Sequence, residues 1–279
     1  MKWAARHLPG GRVVRESVGV SRGSVAALLA RADEASLPTL GGMARPDGIV
    51  IASERFWAFA RADGAVVEGT MPEASTAYRS IPILRGLARL GASMSPLYRG
   101  GGVAGKREKL FLTAALLAPC AFVFFSETAT LIAGIVLSVT LLAWLLRGRT
   151  LYLHGAEHRA IAAAEQGQLA ATWRGYARPS RFSLRCGTNF VALVLPIGLL
   201  AEQVWPFAPA IWTPVVVALL TLGVSMELWR AVQGTTWSAP KGLLLPGLAL
   251  QRLTTREPRL EETQIALTAV ASVLRRELA

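Results

Sequence analysis

Two stretches decide the fold of this 279-residue chain: Leu110–Leu146, LFLTAALLAPCAFVFFSETATLIAGIVLSVTLLAWLL, and Gly187–Glu227, GTNFVALVLPIGLLAEQVWPFAPAIWTPVVVALLTLGVSME. Neither contains a lysine or an arginine, so all 30 basic residues lie outside them. A formal charge of +12 is often a sign of nucleic-acid binding, but basic residues excluded from long apolar stretches are typical of membrane proteins. The sequence therefore predicts a lipid bilayer as partner and no nucleic acid.

Each stretch is long enough for a helical hairpin, because one bilayer crossing takes about 20 apolar residues. Ser126–Thr128 interrupts the first stretch and Trp205–Pro209 the second, where two prolines favour a turn over a helix interior. The predicted membrane spans lie near residues 110–125, 129–146, 190–204 and 211–226. The first of these spans is short for a complete crossing.

The basic residues also predict the orientation of the chain. The loops inside the two hairpins carry no positive charge, whereas the outer ends are flanked by Lys106, Arg107, Lys109, Arg147, Arg149, Arg185 and Arg230. By the positive-inside rule, both termini and the central segment 147–185 are cytoplasmic, as in a multi-pass protein of the cytoplasmic membrane. The alternative is a soluble protein with buried core helices, and the exclusion of charge from both stretches argues against it.

The N-terminal part has a different composition. Residues 1–40 are basic and rich in alanine and glycine, which predicts a poorly ordered segment with one short amphipathic helix. Residues 41–105 form a predicted β-containing domain, in which an Asp63-Gly64 turn separates strand-like runs at Ile49–Ile51, Arg55–Phe59 and Ala65–Val67.

The predicted fold class is mainly α. Four transmembrane helices in two hairpins make up a membrane bundle over residues 106–258, preceded by a small cytoplasmic α+β domain at the N-terminus. Residues 259–279 have the apolar spacing of a C-terminal amphipathic helix. The two cysteines, Cys120 in the first span and Cys186 at the cytoplasmic side, lie at different depths and are expected to be reduced.

The segment His154-Gly155-Ala156-Glu157-His158 is the strongest indication of chemistry. Two of the three histidines of the chain lie in it, four residues apart, so a helix places both imidazoles on one face within reach of one metal ion. The order His-x-x-Glu-His is also that of the inverted zinc proteases, whose glutamate acts as general base. His154 and His158 are therefore predicted ligands of a divalent metal, expected to be zinc, and Glu157 is the predicted catalytic residue.

The third ligand has two candidates, since catalytic zinc sites use three protein ligands and water. Cys186 precedes the third span and Glu227 ends the fourth, so the predicted topology places both near the histidine segment at the cytoplasmic mouth of the bundle. A free cysteine is also a common buried apolar residue, and Glu227 could instead pair with Arg230. The sequence leaves both candidates open.

Two functions of different classes agree with these residues. One is a metal-dependent hydrolase with its site at the cytoplasmic membrane face. The other is a non-enzymatic assembly or regulatory protein, in which a metal or a hydrogen-bond cluster fastens the central helix to the bundle. A transporter is a third function, and it is disfavoured because the spans contain almost no polar residues to line a path.

Five separated motifs resemble those of the DUF1385 or YqhQ-like family of bacterial membrane proteins: Leu40–Gly42, Ile81–Gly86, His154–His158, Arg185–Phe190 and Pro246–Pro258. The resemblance extends over residues 40–275 and implies a protein of the bacterial cytoplasmic membrane. It also implies a metal-dependent enzyme, as the family is often labelled, but no substrate. The chain departs from the first motif, since Met43 and Asp47 stand where the family usually has glutamine and glutamate.

Overall fold

The computed structural model describes residues 3–7, 13–18, 22–72, 80–99, 103–121, 124–207, 210 and 212–279. The protein is mostly helical, with one antiparallel sheet in its N-terminal part. The strands are β1 (Trp3–His7), β2 (Val13–Val18), β3 (Gly41–Arg45), β4 (Gly48–Ala52), β5 (Phe56–Arg61) and β6 (Ala65–Thr70). The helices of the N-terminal half are α1 (Arg22–Ala32), α2 (Pro82–Ser93), α3 (Ser95–Arg99), α4 (Lys106–Ala121) and α5 (Glu127–Leu145). The later helices are α6 (Thr150–Glu165), α7 (Leu169–Trp173), α8 (Gly187–Gln203), α9 (Thr213–Gly234), α10 (Ser238–Lys241), α11 (Leu245–Thr254) and α12 (Leu260–Glu277).

The six strands form one sheet in the order β1-β2-β6-β5-β4-β3. The Asp63-Gly64 turn joins β5 to β6, as the sequence predicts. Gly64 has a φ of 88°, which favours glycine, and the Ala65 N–H donates to the Asp63 carboxylate at 3.0 Å. Where the sequence predicts a poorly ordered segment over residues 1–40, the structure has the hairpin β1-β2, paired antiparallel with β6, and helix α1.

Helix α12 packs against β4, β5 and α6, so that the sheet, α6 and α12 share one core. Ile49, Ile51, Leu153, Leu267 and Leu274 are all fully buried in it. Burying such a side chain contributes about 1.5–3 kcal/mol, so the three elements are strongly held together. The sequence places the sheet, α6 and α12 in three separate segments, because local periodicity does not reveal contacts between residues more than 200 positions apart.

The opposite face of the sheet is covered by α3 and the segment that leads into α4. Trp57, Phe59 and Val67 pack there against Leu97 and Val103. This second cluster joins the sheet to the first of the apolar helices.

Helix α9 is the one helix in the described residues that is long and apolar enough to span a membrane. The apolar parts of α5 (Thr128–Trp144) and α8 (Gly187–Gln203) are shorter. Their surfaces are nevertheless open, since Leu131 and Val139 on α5 and Leu195 and Leu199 on α8 are more than half exposed. Apolar faces of this kind are typical of an interaction surface such as a bilayer. The other three spans and the orientation stay predictions.

Helix α2 crosses α9 in a close contact between two glycines. A Cβ on Gly86 would lie 2.7 Å from the backbone oxygen of Gly223, and a Cβ on Gly223 would lie 2.5 Å from Cγ2 of Ile83. Only glycine at these two positions allows this approach, which fixes α9 against the segment that follows the sheet.

Candidate metal centre

Helix α6 carries the predicted histidine pair through the middle of the protein. It starts after Gly148 and ends before Gly167, both of which have a φ of 62°, and eleven of its sixteen residues are buried. The i,i+4 spacing places the rings of His154 and His158 on one face, with their centroids 4.5 Å apart. The predicted helix and its histidine face are therefore present in the structure.

His154 is oriented by a backbone carbonyl. Its Nδ1 lies 2.9 Å from the carbonyl oxygen of Thr254, and because a carbonyl only accepts, Nδ1 is the protonated nitrogen. Nε2 then has a free lone pair, and it lies 3.2 Å from Sγ of Cys186. A histidine fixed in this way, with Nδ1 on a carbonyl and Nε2 directed at a thiol, has the arrangement typical of metal-ligating histidines.

His158 has the same arrangement with a different carbonyl. Its Nδ1 lies 2.6 Å from the carbonyl oxygen of Arg181, so its Nε2 is also unprotonated. The residue is only 2% exposed, and within the described part of the chain Nε2 has no hydrogen-bond partner. A buried acceptor without a partner lowers the free energy of unfolding by about 1–3 kcal/mol, so a ligand that binds to His158 Nε2 would remove this penalty.

Cys186 supplies the third donor atom from the N-terminus of α8. Its sulfur caps this helix, accepting from the N–H of Thr188 at 3.4 Å and from the Thr188 hydroxyl at 3.1 Å. One ligand atom from each of His154, His158 and Cys186 lies within 4.8 Å of the others. Two imidazoles and a thiol suit zinc, so the donor set fits a divalent metal. The side chain of Cys120, the other predicted thiol, lies outside the described residues.

Burial governs the protonation of all three side chains. It lowers the pKa of His154, and together with the neighbouring His154 it lowers the pKa of His158 to about 3. Burial also raises the pKa of the Cys186 thiol to about 11, with a smaller contribution from the charge of Glu157. The imidazoles are thus neutral at pH 7, as metal ligands must be, whereas the thiol has to lose its proton when it binds.

Glu157 lies next to these ligands but faces the sheet. Its carboxylate accepts a hydrogen bond from the backbone of Ala44 in β3, and burial raises its pKa to about 8. A Cβ on Gly42 would lie 2.7 Å from Cγ of Glu157 and 2.8 Å from its Oε1. Gly42 therefore makes room for this carboxyl group, which explains the second glycine of the Gly-Gly motif.

Glu227, the other candidate for the third ligand, is not part of the cluster. Its carboxylate forms an ion pair with Arg85 of α2, whose Nε donates to Oε1 at 3.0 Å. The sequence also allowed a pair between Glu227 and Arg230, but α2 crosses α9 and places Arg85 next to the Glu227 carboxylate. Of the predicted metal ligands, the structure thus groups His154, His158 and Cys186 and leaves Glu227 in a separate ion pair.

Residues 246–258 hold the site together, and reasoning about side-chain chemistry missed them. Gln251 accepts from the N–H of Ser183 at 2.9 Å and donates to the carbonyl oxygen of Ser183 at 2.7 Å, which orders the approach to Cys186. Thr255 accepts from the guanidinium of Arg181 at 2.7 Å. The backbone acceptors of both histidines are therefore fixed by this segment, and its resemblance motif was the only signal for it in the sequence.

A cavity of about 320 Å³ lies beside the cluster, between α6 and the end of α9. His158 lines it, together with Ser183, Arg185, Gln233 and Lys241. Nε2 of Gln233 is buried there and has no hydrogen-bond partner among the described residues. The cavity therefore borders His158, one of the three candidate ligands.

Comparison with known proteins agrees with the motifs. A family model described as "Protein of unknown function (DUF1385)" matches residues 111–276, more than half of the chain. The chain belongs to the DUF1385 family. The three candidate ligands and the two carbonyls that orient the histidines lie in the matched region. Strand β3 with Gly42 lies outside the matched region.

One relative of this chain is the "Uncharacterized protein YqhQ" of Bacillus subtilis (strain 168). It is 34% identical over 134 residues, which cover 46% of this chain and 42% of that protein. The alignment therefore spans less than half of the relative. No solved structure matches the chain.

Proposed function

We propose that this DUF1385 protein is an integral membrane enzyme, a metal-dependent hydrolase with its site at the cytoplasmic membrane face. The observation that carries the proposal is the group of three donor atoms within 4.8 Å of one another, one of which, His158 Nε2, is buried and without a described partner. His154, His158 and Cys186 would hold the ion, which we expect to be zinc because imidazole and thiolate ligands suit it.

The proposal includes four membrane spans, in the helices α4, α5, α8 and α9. The apolar surfaces of α5 and α8 support it, as does the absence of lysine and arginine from both apolar stretches. Both termini and the segment 147–185 would then lie in the cytoplasm, and α6 would begin at the membrane surface.

The chemistry follows from the ligand number. Three protein ligands are typical of catalytic rather than structural zinc sites, and a bound zinc ion supplies a Lewis acid that polarises a substrate oxygen. The carbonyls of Thr254 and Arg181 orient the two imidazoles. Glu157 would be the group that holds a transferable proton, because burial raises the pKa of its carboxyl group to about 8.

The experiment is elemental analysis of the full chain purified in detergent. We expect a stoichiometric transition metal in the wild type and its loss in His154→Ala/His158→Ala. His7→Ala is the matched control, because His7 is the third histidine of the chain and lies in β1. A wild-type protein without stoichiometric transition metal would refute the proposal.

A structural role is the second candidate, and one observation favours it. The ligands come from α6 and from the N-terminus of α8, so an ion between them would fasten the helix next to the sheet to an apolar hairpin. Glu157→Gln separates the two functions. The enzyme should keep its metal but lose hydrolysis of a reporter such as p-nitrophenyl acetate or p-nitrophenyl phosphate, whereas a structural ion should not respond to this change.

A further inference from the structure

A second cavity, of about 400 Å³, lies between α6, α7 and the start of α12. The residues that line it include four arginines, one carboxylate and the buried hydroxyl group of Thr172: Arg159, Arg174, Arg178, Arg259, Glu257 and Thr172. Four guanidinium groups around one cavity would repel each other unless an anion or a carboxylate balances them. The ion pairs of the four arginines show which of them are balanced by a carboxylate and which are left for an anion.

The single carboxylate is already engaged on the buried side. Glu257 pairs with Arg159 at 2.6 Å and lies 3.5 Å from Arg181. The Arg159 side chain is only 7% exposed, and it also donates to the carbonyl oxygens of Pro179 and Pro258. Arg159 and Glu257 thus neutralise each other and form a fixed wall of the cavity.

The other three arginines are available. Arg174, Arg178 and Arg259 are exposed, and none of them forms an ion pair within the described ranges of the chain. The N-terminus of the 18-residue helix α12 also borders the cavity, and its backbone N–H groups add to the positive potential. The cavity is therefore positive around its opening.

A separate observation points to a ligand at the bottom of the cavity. Thr172 is 1% exposed, yet its Oγ1 has no hydrogen-bond partner among the described residues. A buried hydroxyl is nearly always paired, so an oxygen atom of a ligand would complete it.

We propose that this cavity, defined by Thr172, Arg174, Arg178 and Arg259, binds the terminal phosphate of a small molecule or of a lipid headgroup. The negatively charged oxygens of a phosphate group can accept hydrogen bonds from several guanidinium groups at once. One of these oxygens can also accept from the Thr172 hydroxyl. The site does not depend on the metal centre, because none of these four residues belongs to the metal cluster.

Binding is measured by titration calorimetry on the full chain in detergent. The probes are inorganic pyrophosphate for a soluble source and dihexanoyl phosphatidate for a lipid source, with dihexanoyl phosphatidylcholine as the headgroup control. The test variant is Arg178→Gln/Arg259→Gln. The control is Arg31→Gln/Arg252→Gln, which removes the same charge at two exposed positions outside the cavity.

We expect one probe to bind to the wild type and the control equally, and the test variant to bind it about tenfold or more weakly, since each lost charged hydrogen bond is substantial. Thr172→Val should also weaken binding while leaving the surface charge unchanged. Preference for pyrophosphate would identify a soluble ligand, and preference for phosphatidate over phosphatidylcholine a lipid headgroup. Equal affinity in the test and control variants, or no binding of either probe to the wild type, would overturn the proposal.

Discussion

Neighbouring glycines in β3 provide a sharp test of how the sheet positions the site. In Gly42→Ala, the new Cβ would lie 2.7 Å from Cγ of Glu157 and 2.9 Å from its Cδ. In Gly41→Ala, the new Cβ would have no atom within 4 Å. Neither glycine has a positive φ among the described backbone angles, so the two substitutions differ mainly in this contact.

The magnitude follows from two effects. Replacing glycine by alanine at a compatible position stabilises a protein by about 0.4–1 kcal/mol, through the unfolded chain, and this gain is common to both variants. Overpacking costs about 1–3 kcal/mol and applies only to Gly42→Ala, because Glu157 of α6 is buried where this helix packs against β3. The two variants should therefore differ in free energy of unfolding by about 1–3 kcal/mol.

Thermal or urea unfolding, followed by tryptophan fluorescence in detergent, measures this difference. The double variant Gly42→Ala/Glu157→Ala should recover the clash energy, since truncating Glu157 frees the space that the new Cβ occupies. If Gly42→Ala is as stable as Gly41→Ala, or if the cycle gives no coupling energy, Glu157 does not pack beneath β3 and the assignment of its environment is wrong.

Three further outcomes are expected. Cys186→Ala should lose the bound metal and Glu227→Gln should keep it, as measured by elemental analysis; metal loss in both would return Glu227 to the ligand set. Gly155→Ala should destabilise the protein by about 1–3 kcal/mol and lower its metal content, because its Cβ would overlap the backbone oxygen of Arg256 after α11. Gly234→Ala, with no atom within 4 Å of the new Cβ, should instead gain about 0.4–1 kcal/mol and keep its metal. Burial acts to raise the pKa of Glu262, but hydrogen bonds from the Arg149 side chain and the Arg259 backbone N–H outweigh it and lower this pKa. The stability that Glu262 contributes is therefore present above its unfolded pKa and lost as pH falls. The difference in free energy of unfolding between wild type and Glu262→Gln should shrink from pH 7 to pH 3.

Local patterns predicted the parts of the site that one helix determines. The helix that carries His154 and His158 and the shared face of the two rings follow from a 3.6-residue period. The Asp63-Gly64 hairpin is predictable for the same reason, since its geometry depends on two adjacent residues.

Long-range contacts explain what the sequence could not decide. Membrane topology placed Cys186 and Glu227 at the same depth, but depth alone does not fix the direction of a side chain around a helix. Arg85, 142 residues from Glu227, holds that carboxylate in an ion pair outside the histidine and cysteine group. The carbonyls of Thr254 and Arg181 were equally invisible, because every residue has a carbonyl and only the fold selects the two that are used.

The side chains of the candidate metal centre come from separate elements, so the centre can form only when these elements pack together. The histidines lie on α6, which packs against β3 and α12 in the sheet-side core, whereas the thiol lies at the start of α8 and the Thr254 carbonyl at the end of α11. Helices α8 and α11 pack together, so the thiol and the carbonyl that orients His154 belong to the same packed pair of helices. The three donor atoms can therefore meet only when the sheet-side core and the apolar helices have docked. A metal ion that binds this docked state and not the undocked one stabilises the whole protein in proportion to the logarithm of its concentration. For this reason, a catalytic and a structural role of a bound ion would both follow from the same geometry, and the response of Glu157→Gln would show whether the chain uses both.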